Sequence, residues 1–262
     1  MNAASPLLFT REGGLARLTI NRPDAANTLD VELSKALLQA AIACDEDENI
    51  RAVLLTGNGK LFCGGGDING FAAAGEKVSH LAKELTTILH GAVSRLARMG
   101  KPLVVAVNGP AAGAGLSLAM LGDIVIASPE AHFTVAYTAI GLTPDLGTSW
   151  LLPRLVGLRR AQELALTNRR VSAQEAAQIG LITRVAAADA LAEAQAVARA
   201  LAEGPVAALG GTRALLARSF TTGLEEQLEL EARSIAAALR GAEGQEGVAA
   251  FLSKRQPDFR KA

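Results

Sequence analysis

From Pro102 to Gly122 the chain carries no charged side chain, yet Asn108-Gly109-Pro110 breaks the run in its middle, so it is no membrane span. Leu103 to Val107 reads as a short buried strand, and Gly113 to Met120 as a helix of small and aliphatic residues that starts directly after the turn. A strand apolar at every position needs cover on both faces, which points to a layered α/β core. The first N–H groups of the helix have no intrahelical partner and can hold a developing oxyanion. The same small residues also serve tight strand-to-helix packing, and this stretch alone leaves both readings open.

The remaining segments extend that pattern. Leu15 to Ile20 follows Gly13-Gly14 and reads as a strand ending at Asn21-Arg22-Pro23. Asp30 is placed to cap a helix running to about Cys44, with Leu33, Leu37, Ala40, Ala41 and Cys44 at helical spacing, and Ala52 to Thr56 is a second fully apolar strand. Glu76 to Arg98 predicts a long helix with Leu81, Leu85, Ile88, Ala92 and Leu96 on one face and His80 and His90 beside it. Asp123 to Ala127 and His132 to Thr134 read as extended, Ser172 to Glu175 as a capping box, and Leu181 to Val185 as a strand after Gly180. Beyond Ala186 only helices are expected, near Asp189–Ala202, Val206–Ala217, Leu224–Arg240 and Gln245–Ser253. The division this suggests is an α/β core over residues 1–187 and a helical region over 188–262, apolar enough to pack on a neighbouring subunit.

Composition removes several function classes. The 262 residues hold 26 basic and 26 acidic side chains, and aromatics make up 3%, so neither a net field nor stacking platforms recruit nucleic acid or an anionic membrane. The two cysteines, Cys44 and Cys63, form no metal spacing and no disulfide framework, which fits a reducing compartment. No basic stretch followed by a long apolar run opens MNAASPLLFTREGG, so the expectation is a cytoplasmic protein without an export signal.

Two loops carry candidate chemistry. Gly64-Gly65-Gly66-Asp67 permits a ligand to approach main-chain N–H groups, or it is an ordinary surface loop. It has neither the dinucleotide fingerprint spacing nor the lysine-serine/threonine ending of a phosphate loop. Asp145 precedes a helix whose first turn holds Thr148 and Ser149, where an acid serves as a cap partner or as a catalytic base. Ser117 lies in GLSLA, which lacks the second glycine of a nucleophile elbow.

Four stretches, NRPDAANTL, LTGNGKLFCGGGDI, KPLVVAVNGPAAGAGLSLAMLGDIVIA and IGLTPDLGTSWLLPRLVG, occur in an order and spacing that resemble the enoyl-CoA hydratase/isomerase (crotonase) family over nearly the whole chain. The resemblance implies a crotonase-like spiral of ββα units with an all-helical C-terminal trimerisation region, assembled as a homo-trimer or as a homo-hexamer of two trimers. It implies an acyl-CoA thioester substrate whose oxygen is held by the N–H groups of Gly66 and Ala114. Backbone contacts to coenzyme A fall by motif position on Asp24, Ala25 and Ala26 and on Gly64, Gly65, Gly66, Asp67 and Ile68. Coenzyme A is then part of the substrate, and no metal or other cofactor is expected.

Where this sequence departs from the hydratases, the resemblance favours an isomerase, with an enoyl-CoA hydratase or a 4-chlorobenzoyl-CoA dehalogenase-like enzyme as the alternatives. The two glutamates that handle water there are matched by Ser117 and Tyr137, neither a carboxylate and both poor bases at neutral pH. Asp145 is the remaining acid, and the resemblance implies that it shuttles a proton. GLTPDLGTSWLLPRLVG and EGVAAFLSKRQPDF resemble members that rearrange ring-epoxidised phenylacetyl-CoA and move enoyl double bonds. The stretch RLVGLRRAQELALTNR also resembles dehalogenases of 4-chlorobenzoyl-CoA, in which an aspartate at the Asp145 position attacks the ring and a histidine at the His90 position activates water; Tyr137 stands where they have tryptophan. His90 is otherwise a partly buried helix residue, and the sequence names no partner for His80 or His132. Ser117, Tyr137 and His90 count with the substrate-binding residues, and pocket walls are expected from the region between Asp67 and Leu81, including Phe71, and from Trp150. A decayed relative acting as a scaffold or binding RNA is the non-enzyme alternative.

Overall fold

Gly13 and Gly14, at φ 56° and 87°, reverse the chain between two strands where the sequence predicts one. In the computed structural model, which describes residues 5–261, β1 (Leu7–Glu12) pairs antiparallel with β2 (Leu15–Ile20). Of β1 only Leu7 is buried, so no apolar alternation marks this edge strand in the sequence. Met1 to Ala4, the start of the stretch inspected for an export signal, and Ala262 lie outside the described residues.

Asp30 caps α1 (Val31–Glu46) by accepting the Leu33 N–H at 2.8 Å, and the chain returns through β3 (Ala52–Gly57). The glycine loop leads into α2 (Ile68–Ala73), then α3 (Val78–Arg98). β4 (Leu103–Val107) matches its expected bounds; the Asn108-Gly109-Pro110 turn joins it to β5 (Ala111–Ala112) and α4 (Ala114–Met120), and β6 (Ile124–Ala127) and β7 (His132–Thr134) follow. Next come α5 (Thr148–Val156), α6 (Leu158–Thr167), β8 (Val171–Ser172), α7 (Ala173–Gln178) and β9 (Arg184–Val185). The rest is helix: α8 (Ala190–Glu203), α9 (Val206–Arg218), α10 (Leu224–Arg240) and α11 (Ala242–Leu252).

The main sheet has six strands in the order β1-β2-β3-β4-β6-β9, parallel everywhere except the first pair. Successive side chains of β3 and β4 point to opposite faces and feed two cores. Val53, Leu55, Val105 and Val107 join the core under α1, α3 and α4, whereas Ala52, Leu54, Val104 and Ala106 meet Ala190, Ala194, Ala198 and Ala202 of α8. Alanine at every fourth position lets α8 lie close on the sheet, so the first helix beyond residue 187 is the cover of the second face. Each fully buried leucine or valine here contributes roughly 1.5–3 kcal/mol of transfer free energy. A smaller sheet, β5-β7-β8, branches off where α4 begins.

Two expectations are corrected, and one segment that the sequence left unassigned is helical. The region after Asp67 folds as α2, capped by the Asp67 carboxylate, which accepts the Gly70 N–H at 3.2 Å; it buries no side chain and left no periodic signal. On α3 the buried face is Leu85, Leu89, Ala92 and Leu96, with Leu89 in the place expected for Ile88 and with Leu81 half-buried. The strand expected over Leu181 to Val185 shrinks to β9, because the N–H groups of Leu181 and Ile182 both turn back to the Ala176 carbonyl.

Arg51 ties the C-terminal helices to the sheet. Its guanidinium donates to the carbonyls of Ala202 at 2.7 Å and Gly204 at 2.8 Å and to Glu243 at 3.1 Å. Beyond that clamp α10 and α11 leave Leu228, Ile235, Leu239, Phe251 and Leu252 exposed. No helix among the described residues is long and apolar enough to cross a membrane.

Candidate active site

The glycine loop is sewn to two neighbours. Gly64 N–H donates to the Ala26 carbonyl at 2.9 Å, Leu29 N–H to the Gly65 carbonyl at 2.8 Å, and Asp67 N–H to the Leu29 carbonyl at 3.1 Å. Asp24, Ala25 and Ala26 therefore lie along Gly64 to Ile68, with Asp24 and Ile68 exposed. Beneath them Asn27, fully buried at φ 54°, gives its amide hydrogens to the carbonyls of Asn58 and Leu61 and accepts the Arg22 N–H. Arg22 in turn pairs with Asp30 at 2.9 Å and Asp67 at 3.3 Å, joining the caps of α1 and α2. Sequence reasoning overlooked Asn27 and Arg22; the tolerance of asparagine for the left-handed region was the available signal.

On its other side the loop runs along the start of β5, with Ala112 N–H donating to the Cys63 carbonyl at 3.0 Å. Gly65 sits at φ 101°, and a Cβ there would stand 2.9 Å from the Ala112 oxygen and 3.5 Å from the Ala114 nitrogen. Only glycine permits that approach. Among the described residues neither the Gly66 N–H nor the Ala114 N–H has a protein acceptor. Ala114 opens α4, so its N–H is free for the reason every helix start has free donors. The Phe71 ring borders Gly66, 3.2 Å from where a Cβ would be.

The second cluster faces this one across Gly113, where an added Cβ would lie 3.9 Å from Gly65 Cα and 4.0 Å from Tyr137 Cζ. Tyr137 OH donates to Asp145 Oδ1 at 2.6 Å. Behind them the fully buried Ser117 hydroxyl bonds the buried Thr148 hydroxyl, and Ser117 Oγ stands 3.5 Å from the phenol, too far for a strong bond. The cap reading of Asp145 falls: α5 starts from Gly147 with no side-chain cap, and the carboxylate turns to the tyrosine. Ala136 and Leu146, the neighbours of Tyr137 and Asp145, stand at φ 65° and 48°, backbone strain that no glycine announces in the sequence.

Burial raises the Asp145 carboxyl above the usual carboxylate range, opposed by the Tyr137 hydrogen bond and by nearby His90. Burial also pushes the phenol of Tyr137 upward, with the Asp145 charge adding to it. Tyr137 is thus a donor and not a base. His90 is exposed on α3 rather than partly buried, and its Nε2 accepts the Leu146 N–H at 3.3 Å. Trp150 turns to Arg154, whose guanidinium lies 3.9 Å above its ring. His80 is exposed, and His132 lies on β7 away from these contacts.

The model of the family Enoyl-CoA hydratase/isomerase matches residues 10–262. The chain belongs to that family. It is 41% identical, over 95% of both chains, to the 1,2-epoxyphenylacetyl-CoA isomerase of Escherichia coli K12. It is 40% identical, over 94% of both, to a probable enoyl-CoA hydratase of Rhodobacter capsulatus. A solved enoyl-CoA hydratase from Polaromonas sp. JS666 superimposes with a TM-score of 0.92 at 36% identity, over 96% of this chain and 98% of that one. The fold is therefore the crotonase α/β fold with C-terminal helices that the four motifs imply. An enzyme of the enoyl-CoA hydratase/isomerase family follows from both comparisons, and relatives of either activity match at similar identity.

Proposed function

We propose that this enzyme is an acyl-CoA isomerase that works through a thioester enolate. The observation carrying this reading is that, among the described residues, Asp145 is the one carboxylate in the Ser117–Tyr137–Thr148 cluster, with hydroxyls at both positions where hydratases hold glutamates. The N–H groups of Gly66 and Ala114 hold the thioester oxygen, and the segments Asp24–Ala26 and Gly64–Ile68 bind coenzyme A through main chain. With a 3-enoyl-CoA, the Asp145 carboxylate takes a proton from C2, and the C–H electron pair moves into a dienolate whose charge rests on the thioester oxygen. The resulting carboxylic acid returns the proton at C4, which leaves the conjugated 2-enoyl-CoA. Atoms balance without water, metal or redox partner, so no cofactor beyond the substrate's coenzyme A is called for. Rearrangement of a ring-epoxidised phenylacetyl-CoA asks for the same proton shuttle: the C–C bond under the epoxide oxygen opens to an oxepin, and Asp145 moves the C2 proton through a thioester enolate to a ring carbon, a reading that the 41% identity to the isomerase of that substrate supports.

The exposed apolar side chains of α10 and α11 support assembly into a homo-trimer or a hexamer of two trimers. Cys44 and Cys63 are free, buried thiols, which fits a cytoplasmic setting.

An absorbance assay on purified enzyme with a 3-enoyl-CoA, run beside 2-enoyl-CoA hydration, tests the reading. Conjugation without hydration is expected, and Asp145→Asn should abolish it. Hydration at enzyme-like rates, or full isomerase activity in Asp145→Asn, overturns it.

A further inference from the structure

We propose that Tyr137 is a positioning residue for the proton carrier: its hydroxyl occupies Oδ1 of Asp145, so that Oδ2 alone takes and returns the substrate proton. This rests on the reading of Asp145 as the proton shuttle. The phenol lies 2.6 Å from Oδ1, while Oδ2 accepts no hydrogen bond from another residue among those described. A carboxylate with one oxygen occupied has one basic edge left, which fixes the direction of proton transfer.

Tyr137 is itself held. Its N–H donates to the Val135 carbonyl at 2.9 Å, its carbonyl accepts the Leu142 N–H at 3.0 Å, and Ala136 before it is in the left-handed region. Ser117 and Thr148 satisfy each other, which leaves Asp145 as the phenol's acceptor. The titratable groups facing the Asp145 carboxylate are Tyr137, from the loop after β7, and His90, from α3; α4 and α5 contribute only the hydroxyls of Ser117 and Thr148. Burial and the neighbouring charge keep the phenol protonated, so the tyrosine donates in both halves of the cycle and its own proton never leaves. When Oδ2 becomes protonated, Oδ1 still accepts from the phenol, and the bond stays in place until the proton goes back to carbon.

Tyr137 is the sole tyrosine of the chain, so tyrosine labelled with carbon-13 at Cζ gives a single resonance with no assignment problem. In the wild-type protein, titrated from acid to neutral pH, that resonance should show an inflection as Asp145 titrates, and the inflection should vanish in Asp145→Asn. In Tyr137→Phe the Asp145 midpoint, read from labelled aspartate Cγ, should rise by about one pH unit, with the acid limb of kcat/KM moving alongside it. A wild-type tyrosine resonance that stays flat over this range, or an Asp145 midpoint that does not rise in Tyr137→Phe, overturns the proposal. Full isomerase activity in Asp145→Asn instead removes the shuttle reading itself, whereas an inactive Asp145→Asn beside an unmoved acid limb in Tyr137→Phe removes only the role of the tyrosine.

Discussion

Leu146 donates its N–H to Nε2 of His90 across 3.3 Å, and it does so from a fully buried position at φ 48°. A left-handed leucine costs about 1–2 kcal/mol, so the bond helps to hold a backbone that the residue would otherwise leave. The residue it fixes follows Asp145 directly. His90→Ala should therefore lower kcat about tenfold through misdirection of the carboxylate, with KM little changed. His90→Gln should recover most of the loss, because an amide oxygen can accept the same N–H. Steady-state kinetics on a 3-enoyl-CoA separate this from a water-activating histidine: equal, severe losses in both variants would put His90 into the chemistry.

The raised Asp145 pKa predicts a stability effect opposite in sign to the activity effect. A carboxyl whose folded pKa lies above its unfolded value near 4 contributes stability in full below that unfolded value and loses it as pH rises through the folded pKa. Above its folded pKa the group is a partly desolvated charge held at a cost, and Asp145→Asn, which still accepts from Tyr137, removes that cost. Thermal melts should show Asp145→Asn more stable than wild type at pH 7.5, with the gap closing towards pH 4. A variant less stable at both pH values would mean that the charge is stabilising where it sits.

How much of this was legible follows from what each residue does. Leu103–Val107 and Leu15–Ile20 were readable to the residue because runs of apolar side chains end at turn chemistry. β1 and α2 bury almost nothing, so their periods had no apolar phase to reveal them. Asp145, Tyr137 and Ser117 were nominated from motif position, but their contact depends on Ala136 and Leu146 adopting a backbone that alanine and leucine rarely take. Thr148 was seen only as a helix-start residue, although it supplies the acceptor or donor that occupies Ser117. Local sequence reports propensity, and these pairings are imposed by tertiary packing against it.

Gly65 links the two free N–H groups, and its substitution should separate catalysis from stability. At φ 101° an alanine is strained, and its Cβ would press on the Ala112 oxygen at 2.9 Å, displacing the segment that leads to Ala114. If Gly66 and Ala114 act as the proposed oxyanion donors, loss of one donor's alignment costs roughly 10²–10³ in kcat, and Gly65→Ala should approach that. Gly100→Ala is the control, since nothing lies within 4 Å of its Cβ position and its φ is ordinary. Rates for the two variants decide it: a Gly65→Ala enzyme with wild-type kcat would show that the approach of these loops is not needed for turnover.

The face of α10 predicts the state of the protein in solution. Leu228, Ile235 and Leu239 are 53%, 60% and 55% exposed, and their spacing of seven and four residues puts them on one side of the helix. Phe251 and Leu252 of α11 are exposed at 84% and 76%, more apolar surface than isolated leucines on a monomer would explain. The Arg51 clamp ties the end of α8 to Glu243 in the first turn of α11, directly after α10, so this face belongs to an ordered structure and is available to a second copy. Light scattering coupled to size exclusion should give three or six times the 27.0 kDa protomer mass. Ile235→Glu combined with Leu239→Glu would bury two charges in any such contact and should shift the protein to 27.0 kDa. A wild-type protein that already elutes at the protomer mass would leave the apolar face of α10 without the partner argued for it.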